Sequence, residues 1–175
     1  MEWHDLLADG FDRLPEFLGK VMDGLSEEDL RWQPRPDSNS IGWLVWHLIR
    51  QQDAQIAALM GEEQLWIKKS WHVKFNRPAD PNDIGFGHTP EQAAAFEPPD
   101  TEILLDYLKA AVNRSKQYLR SLSKDDLDHE LDEPQYQPLP TVGVRIISIL
   151  DDCVLHAGQA AYVRGLLQGK GWQKY

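Results

Sequence analysis

Asp152 and His156 stand four residues apart in a segment, Val142 to Leu167, otherwise supplied with Ile146, Ile149, Leu150, Cys153, Val154, Ala157 and Ala160. On a helix that spacing sends both side chains from one face toward a common point. A carboxylate and an imidazole so placed have three outlets: they bond each other, they face solvent, or they join a third group around a metal ion. Leaving either unpaired among apolar neighbours costs about 1–3 kcal/mol, more for an ionised carboxylate. A candidate third group is His47 in SIGWLVWHLIRQQDAQI, where Leu44, Val45, Leu48, Ile56 and Leu59 mark a core-facing side. Counted from Gly42 and Gly143, His47 lies less deep in its helix than Asp152 or His156 in theirs. Antiparallel neighbours tolerate that mismatch, because one helix descends as the other climbs.

Around these three, Arg50 and Gln51 follow His47 by one turn and are candidates to border a pocket, with Arg50 able to clamp a carboxylate. A solvated Arg and an interface Gln are the plainer reading. Trp46 and Trp71 are candidate walls of an apolar pocket, set against simple core packing. His88, in GFGHTPE, either approaches a ligand or sits on a turn. Cys153 points with the core residues and has no cation beside it, so it reads as a buried structural thiol. Arg164 lines up with the apolar stripe of Ile146, Ile149, Cys153, Ala157 and Ala160 and is expected to snorkel outward.

The elements that must position these residues are helical. Leu7, Phe11, Leu14, Leu18, Val21 and Leu25 fall at helical spacing, with Pro15 predicting a kink or restart. Ile41 to Met60 forms a second helix capped by Ser40, Leu104 to Leu122 a third capped by Asp100 or Thr101, and Val142 to Leu167 a fourth capped by Thr141. The halves echo each other: LSEEDL and LSKDDL follow the first and third helices, and Ser40-Ile41-Gly42 matches Thr141-Val142-Gly143. No strand-like alternation of any length interrupts this, so the pattern predicts an all-α, four-helix bundle in one domain spanning residues 1–175. Residues 61–100 form the long connection between the second and third helices, with Trp66, Trp71, Phe75, Phe86 and a short helix capped at Thr89 and opened by Pro90. Connections of this length are often functional, and two placements fit: a lid over one end of the bundle, or a crossover along its side.

Composition narrows the partners. A formal charge of −10 and the lack of any Lys/Arg run disfavour nucleic acid and anionic lipid. The single cysteine rules out an internal disulfide, and the acidic opening MEWHDLLADG lacks a secretory pattern, so a cytoplasmic protein with no membrane association is expected. HExxH, paired Glu-x-x-His, P-loop, GxGxxG and nucleophile-elbow motifs are all missing.

NSIGWLVWHL with its histidine, and HAGQ at 156–159, resemble the second and fourth helices of the DinB-like metalloproteins, a superfamily that includes thiol-dependent S-transferases. The resemblance covers nearly the whole chain by helix order and implies a DinB-like bundle. It implies that His47, Asp152 and His156 bind a divalent ion, zinc first and nickel, iron or manganese next by ligand type. Asp152 departs from the histidine most members carry there and is similar to the carboxylate of the branch around mycothiol-dependent maleylpyruvate isomerase. The implied activity is transfer or isomerisation of a small electrophilic molecule, with a low-molecular-weight thiol as cosubstrate, and a homodimer is the implied assembly. The alternatives are a metal-dependent hydrolase and a non-catalytic, metal-binding or dimerising bundle. No catalytic group beyond the metal ligands is identified.

Overall fold

The computed structural model describes residues 1–173. Four long helices carry the fold: α1 (Trp3–Met22), α3 (Ile41–Met60), α7 (Thr101–Ser121) and α8 (Val142–Gln168). Shorter ones lie between them: α2 (Glu27–Arg31), α4 (Leu65–Lys68), α5 (Trp71–Lys74) and α6 (Pro90–Ala94). Among the described residues the extended pairing is a lone bridge between Glu130 and Thr141, and no helix is long and apolar enough to cross a membrane.

The helices begin where their caps dictate. The side chains of Ser40, Asp100 and Thr141 accept the backbone N–H of Trp43, Ile103 and Val144, filling donors that a first turn leaves open. Of the kink or restart expected at Pro15, a restart is absent, since α1 continues through it to Met22. Pro15 forfeits one backbone bond, but Phe11, Leu14, Leu18 and Val21 on either side of it are all buried along one stripe, and that packing outweighs a single missing donor.

α1 packs on α7 and α8, and α3 packs on the same two helices, closing the bundle. α3 and α8 run antiparallel: Arg145 meets Gln55, while Cys153 lies against the Leu48 carbonyl. The sequence echo has a spatial counterpart. A Cβ on Gly42 would stand 3.0 Å from the Leu30 carbonyl oxygen, and one on Gly143 would stand 3.2 Å from that of Leu127. In each half the glycine lets the helix start close against the end of the preceding capped turn.

Of the two placements open to the connection, the side of the bundle is the one found. Trp66, Trp71, Phe75 and Phe96 are buried in the common core. Asp53, buried in the middle of α3, ties the connection down: it accepts the backbone N–H of Leu65 at 2.9 Å and of Trp66 at 2.8 Å, the two first residues of α4. The same carboxylate takes the Tyr107 hydroxyl at 2.7 Å and Arg114 Nη1 at 3.3 Å, with Arg50 Nη1 at 3.7 Å. Burial and the adjacent Asp53 push the Tyr107 pKa well up, keeping its hydroxyl a donor.

Arg164 corrects the expectation that it snorkels outward. It is 7% exposed and its guanidinium donates to the carbonyls of Lys20, Val21 and Asp23, the acceptors that the end of α1 leaves open. A charge on an apolar stripe here caps a neighbouring helix.

Asp53→Ala leaves two backbone donors, a hydroxyl and two guanidinium groups without their shared acceptor. We expect a loss of about 3–5 kcal/mol, the range for breaking a buried ion pair from one side. Urea denaturation reads the loss, and hydrogen exchange is expected to accelerate first over residues 65–75.

Candidate metal centre

His47, from the second turn of α3, meets Asp152 and His156 from the middle of α8. One nitrogen or oxygen of each lies within 4.8 Å of the others. His47 is buried, Asp152 and His156 half-buried, so the cluster sits at the edge of the core with one side toward solvent. The two rings meet edge to face with centroids 4.7 Å apart.

Each imidazole is held from behind. His47 Nδ1–H donates to the Ile84 carbonyl, in the connection, and His156 Nδ1–H donates to Gln159 Oε1 at 2.8 Å. Both rings therefore turn Nε2, with its lone pair, toward the cluster. His156 Nε2 then faces Asp152 Oδ1 at 3.4 Å, and Asp152 Oδ2 is buried with no hydrogen-bond partner. Lone pairs that confront one another at the edge of a core call for a positive charge between them, either a proton on His156 or a cation.

The electrostatics agree with that geometry. The bond to Asp152 raises the His156 pKa above the ordinary imidazole value. Burial lowers that of His47, against the opposing pull of the Ile84 carbonyl. Two neutral imidazoles and one carboxylate, each imidazole fixed by an outer partner, form a donor set that suits a divalent ion and leaves positions on it for other ligands. At donor distances of about 2.0–2.2 Å, two ligands at a tetrahedral angle stand about 3.3–3.6 Å apart, so a pair at the full 4.8 Å closes by about 1.2–1.5 Å on binding. The residues present fit the group.

The remaining candidates fall elsewhere. Arg50 does not border the site: it is fully buried, with its guanidinium committed to the carbonyls of Asp80, Pro81 and Asp83 and to the Tyr107 hydroxyl. It cannot swing out to clamp a carboxylate. Gln51 is half-buried and bonded to Gln55. Trp46 is buried among Phe96, Trp66 and His88, and Trp71 stacks on Tyr107 beside the Asp53 cluster, so neither walls an open pocket at the histidines. His88 accepts from Trp43 Nε1 at 3.2 Å and contacts Asp83 at 3.0 Å, one layer behind His47. Cys153 is buried, and burial raises its thiol pKa, so it offers no thiolate.

Sequence reasoning missed the layer behind His47. Trp43 stacks on its ring at 4.8 Å, and Gly85 at φ +86° presses on the opposite contact, where a Cβ would meet His47 Nδ1, Trp43 and Trp46 at 2.9 Å each. The signal available was the pair of glycines in GFG, which permit close backbone approach. Gln159 lay within the quoted HAGQ but was assigned no role.

Comparison with known proteins follows the same lines. No curated protein matches the sequence. A crystal structure of a conserved protein from Enterococcus faecalis superposes with a TM-score of 0.89 at 34% identity, covering 97% of this chain and 99% of that one. Residues 11–160, which contain all three members of the His/Asp/His cluster, match the DinB superfamily. The chain belongs to the DinB superfamily.

Proposed function

We propose that the protein is a metal-dependent enzyme, a thiol-dependent S-transferase or isomerase acting on a small electrophilic molecule, with His47, Asp152 and His156 as the ligands. The observation that carries the metal reading is the confrontation of His156 Nε2 with Asp152 Oδ1, beside the unpartnered Asp152 Oδ2. A divalent ion bound there supplies Lewis acidity and lowers the pKa of a coordinated thiol or water. Zinc suits the ligand mix first. His47 and His156 present Nε2 because Ile84 and Gln159 occupy their other nitrogens.

If sulfur is the nucleophile, it comes from outside the chain, because Cys153 is buried and held protonated. That supports a free thiol as cosubstrate. A groove of about 690 Å³, lined by Pro34, Leu44, Leu155, Gln159, Tyr162 and Leu166, adjoins the Gln159 side of the cluster, and a second copy seated on this face of α8 would close it over. Hydrolysis, with water in place of the thiol, is the rival chemistry for the same ligands.

If the protein dimerises, the outward face of α8 is the surface that supports the contact. Of ten exposed positions from Val144 to Leu166, only Asp151 carries a charge, against 26% charged residues in the chain. Ile147, Val154, Leu155 and Tyr162 are each more than half exposed there. A second copy brings the same patch and needs no complementary charge, which an isologous contact satisfies.

Protein isolated without an affinity tag is expected to hold about one divalent ion per chain by elemental analysis, and His47→Ala and His156→Ala to hold little. Gln159→Leu, which removes only the outer partner, is expected to weaken zinc binding about 10–100-fold. Equal and negligible metal in all four rejects the reading. Addition of a low-molecular-weight thiol is expected to change the visible spectrum of the cobalt-loaded protein, whereas an unchanged spectrum across several thiols favours the hydrolase.

Protons compete for the same lone pairs. In the metal-free protein, His156 is expected to protonate above the ordinary imidazole range and His47 below it, as imidazole nitrogen NMR would show. Zinc must displace the His156 proton, so affinity falls about tenfold per pH unit once the pH drops below that raised value. The stability that the metal-free His156–Asp152 pair contributes has the opposite sign. It is fully present below the unfolded imidazole pKa of about 6.5 and is lost as pH rises through the raised folded value. Tyr162→Glu is expected to convert a dimer to monomer in sedimentation equilibrium, and a monomeric wild type overturns the assembly.

A further inference from the structure

Residues 80–88 lie as a strap along α3, running from Arg50 back to Trp43. Arg50 Nε donates to the Asp83 carbonyl at 3.2 Å, and Nη2 reaches the carbonyls of Pro81 at 3.2 Å and Asp80 at 3.4 Å. The next residue, Ile84, gives its carbonyl to His47 Nδ1. Gly85 follows against His47, Trp43 and Trp46, and His88 closes the strap on Trp43 Nε1. The Asp83 side chain is pinned from outside by Arg77 Nη2 at 2.6 Å and by His88.

We propose that Arg50 is a positioning residue for the metal centre: its grip on three strap carbonyls holds the Ile84 carbonyl on His47 Nδ1 and so aims His47 Nε2. This rests on the metal reading of the cluster. The peptide that Arg50 grips, Asp83 to Ile84, is the one directly before the carbonyl that holds the histidine. Arg50 and His47 are themselves one turn apart on the same rigid helix. Helix and strap therefore make a closed frame with the ligand as one of its rungs.

A simpler role, counter-ion to Asp53, fits the contacts less well. Arg114 already fills it, bonded to Asp53 Oδ1 at 3.3 Å, whereas Arg50 stands 3.7 Å from that carboxylate and spends three donors on the strap. Arg114 turns its other nitrogen to Glu62, away from the strap. The two arginines share a buried carboxylate and differ in which one touches residues 80–88, which makes Arg114 the control.

Zinc affinity by chelator competition, and the visible spectrum of the cobalt-loaded full chain, are to be compared for wild type, Arg50→Met, Arg50→Lys and Arg114→Met. Arg50→Met is expected to weaken zinc about 10–100-fold, the range for losing an outer partner of a ligand, and to alter the cobalt bands. Arg50→Lys, which can still serve some of the carbonyls, is expected to recover part of the loss. Arg114→Met is expected to lower stability yet keep affinity within about twofold of wild type, since no outer partner is lost. Wild-type affinity in Arg50→Met, or an equal loss in Arg114→Met, overturns the proposal. Should Arg50→Met not fold, Gly85→Ala displaces the strap from its other end, and unchanged zinc affinity there overturns it equally. In zinc-free protein the His47 Nδ1–H resonance is expected to shift or exchange faster in Arg50→Met and not in Arg114→Met. That arm tests the frame even if wild type binds no zinc, the outcome that sinks the metal reading instead.

Discussion

Two acceptors facing each other across 3.4 Å, His156 Nε2 and Asp152 Oδ1, set the problem that the surrounding structure is arranged around. Neither can turn away cheaply. His156 is held at Nδ1 by Gln159, and the second oxygen of Asp152 is already buried without a partner. A proton on His156 or a cation resolves the conflict, so the two compete for one place. His47 enters from the opposite helix with the same feature, a lone pair directed inward by a bond at its back. The metal reading rests on this direction as much as on proximity, because both imidazoles have their outer nitrogens occupied and turn the other toward the carboxylate.

The buried polar cluster one turn further along α3 acts on the same problem from a distance. Asp53 gathers α4, α7 and the Arg50 guanidinium into one set of bonds, and Arg50 passes that rigidity to the strap behind His47. The guanidinium also lies over the Trp66 ring at 4.5 Å, a further contact that fixes its plane. A fully bonded cluster of this type holds the connection in one position, where an apolar core would allow it to slide. The connection therefore packs as a wall behind His47 and holds its ring through the Ile84 carbonyl.

Much of this was legible in the sequence, and the divide follows physical scale. Helix positions came from apolar spacing and from caps at Ser40, Asp100 and Thr141, all local signals. The DinB-like bundle followed from helix order with HAGQ and NSIGWLVWHL. What periodicity could not tell was where a charge on an apolar stripe finds its partner. Arg164 was read as reaching outward and Arg50 as bordering a pocket or meeting solvent, because a single helix shows no acceptors. Their acceptors are backbone carbonyls from α1 and from the strap, and a carbonyl leaves no mark on residue type. Asp53 was overlooked for the same reason: its partners Leu65 and Trp66 contribute only backbone N–H groups.

The echo between the halves explains why the ligands are divided one and two. Gly42 and Gly143 pack on Leu30 and Leu127 in equivalent ways, so positions can be counted from them. By that count His47 corresponds to Ser148, Gln51 to Asp152 and Gln55 to His156. Because α3 and α8 are antiparallel, each helix's early position faces the later positions of the other. His47 thus meets Asp152 and His156, while on the other diagonal Gln51 and Gln55 bond each other and Gln55 accepts from Arg145. One diagonal carries a carboxylate and two imidazoles, and the other carries amides that bond each other and Arg145. The first diagonal alone calls for a positive charge, a proton or a cation, and substituting amides for Asp152 and His156 would make that diagonal resemble the second, closed by its own hydrogen bonds.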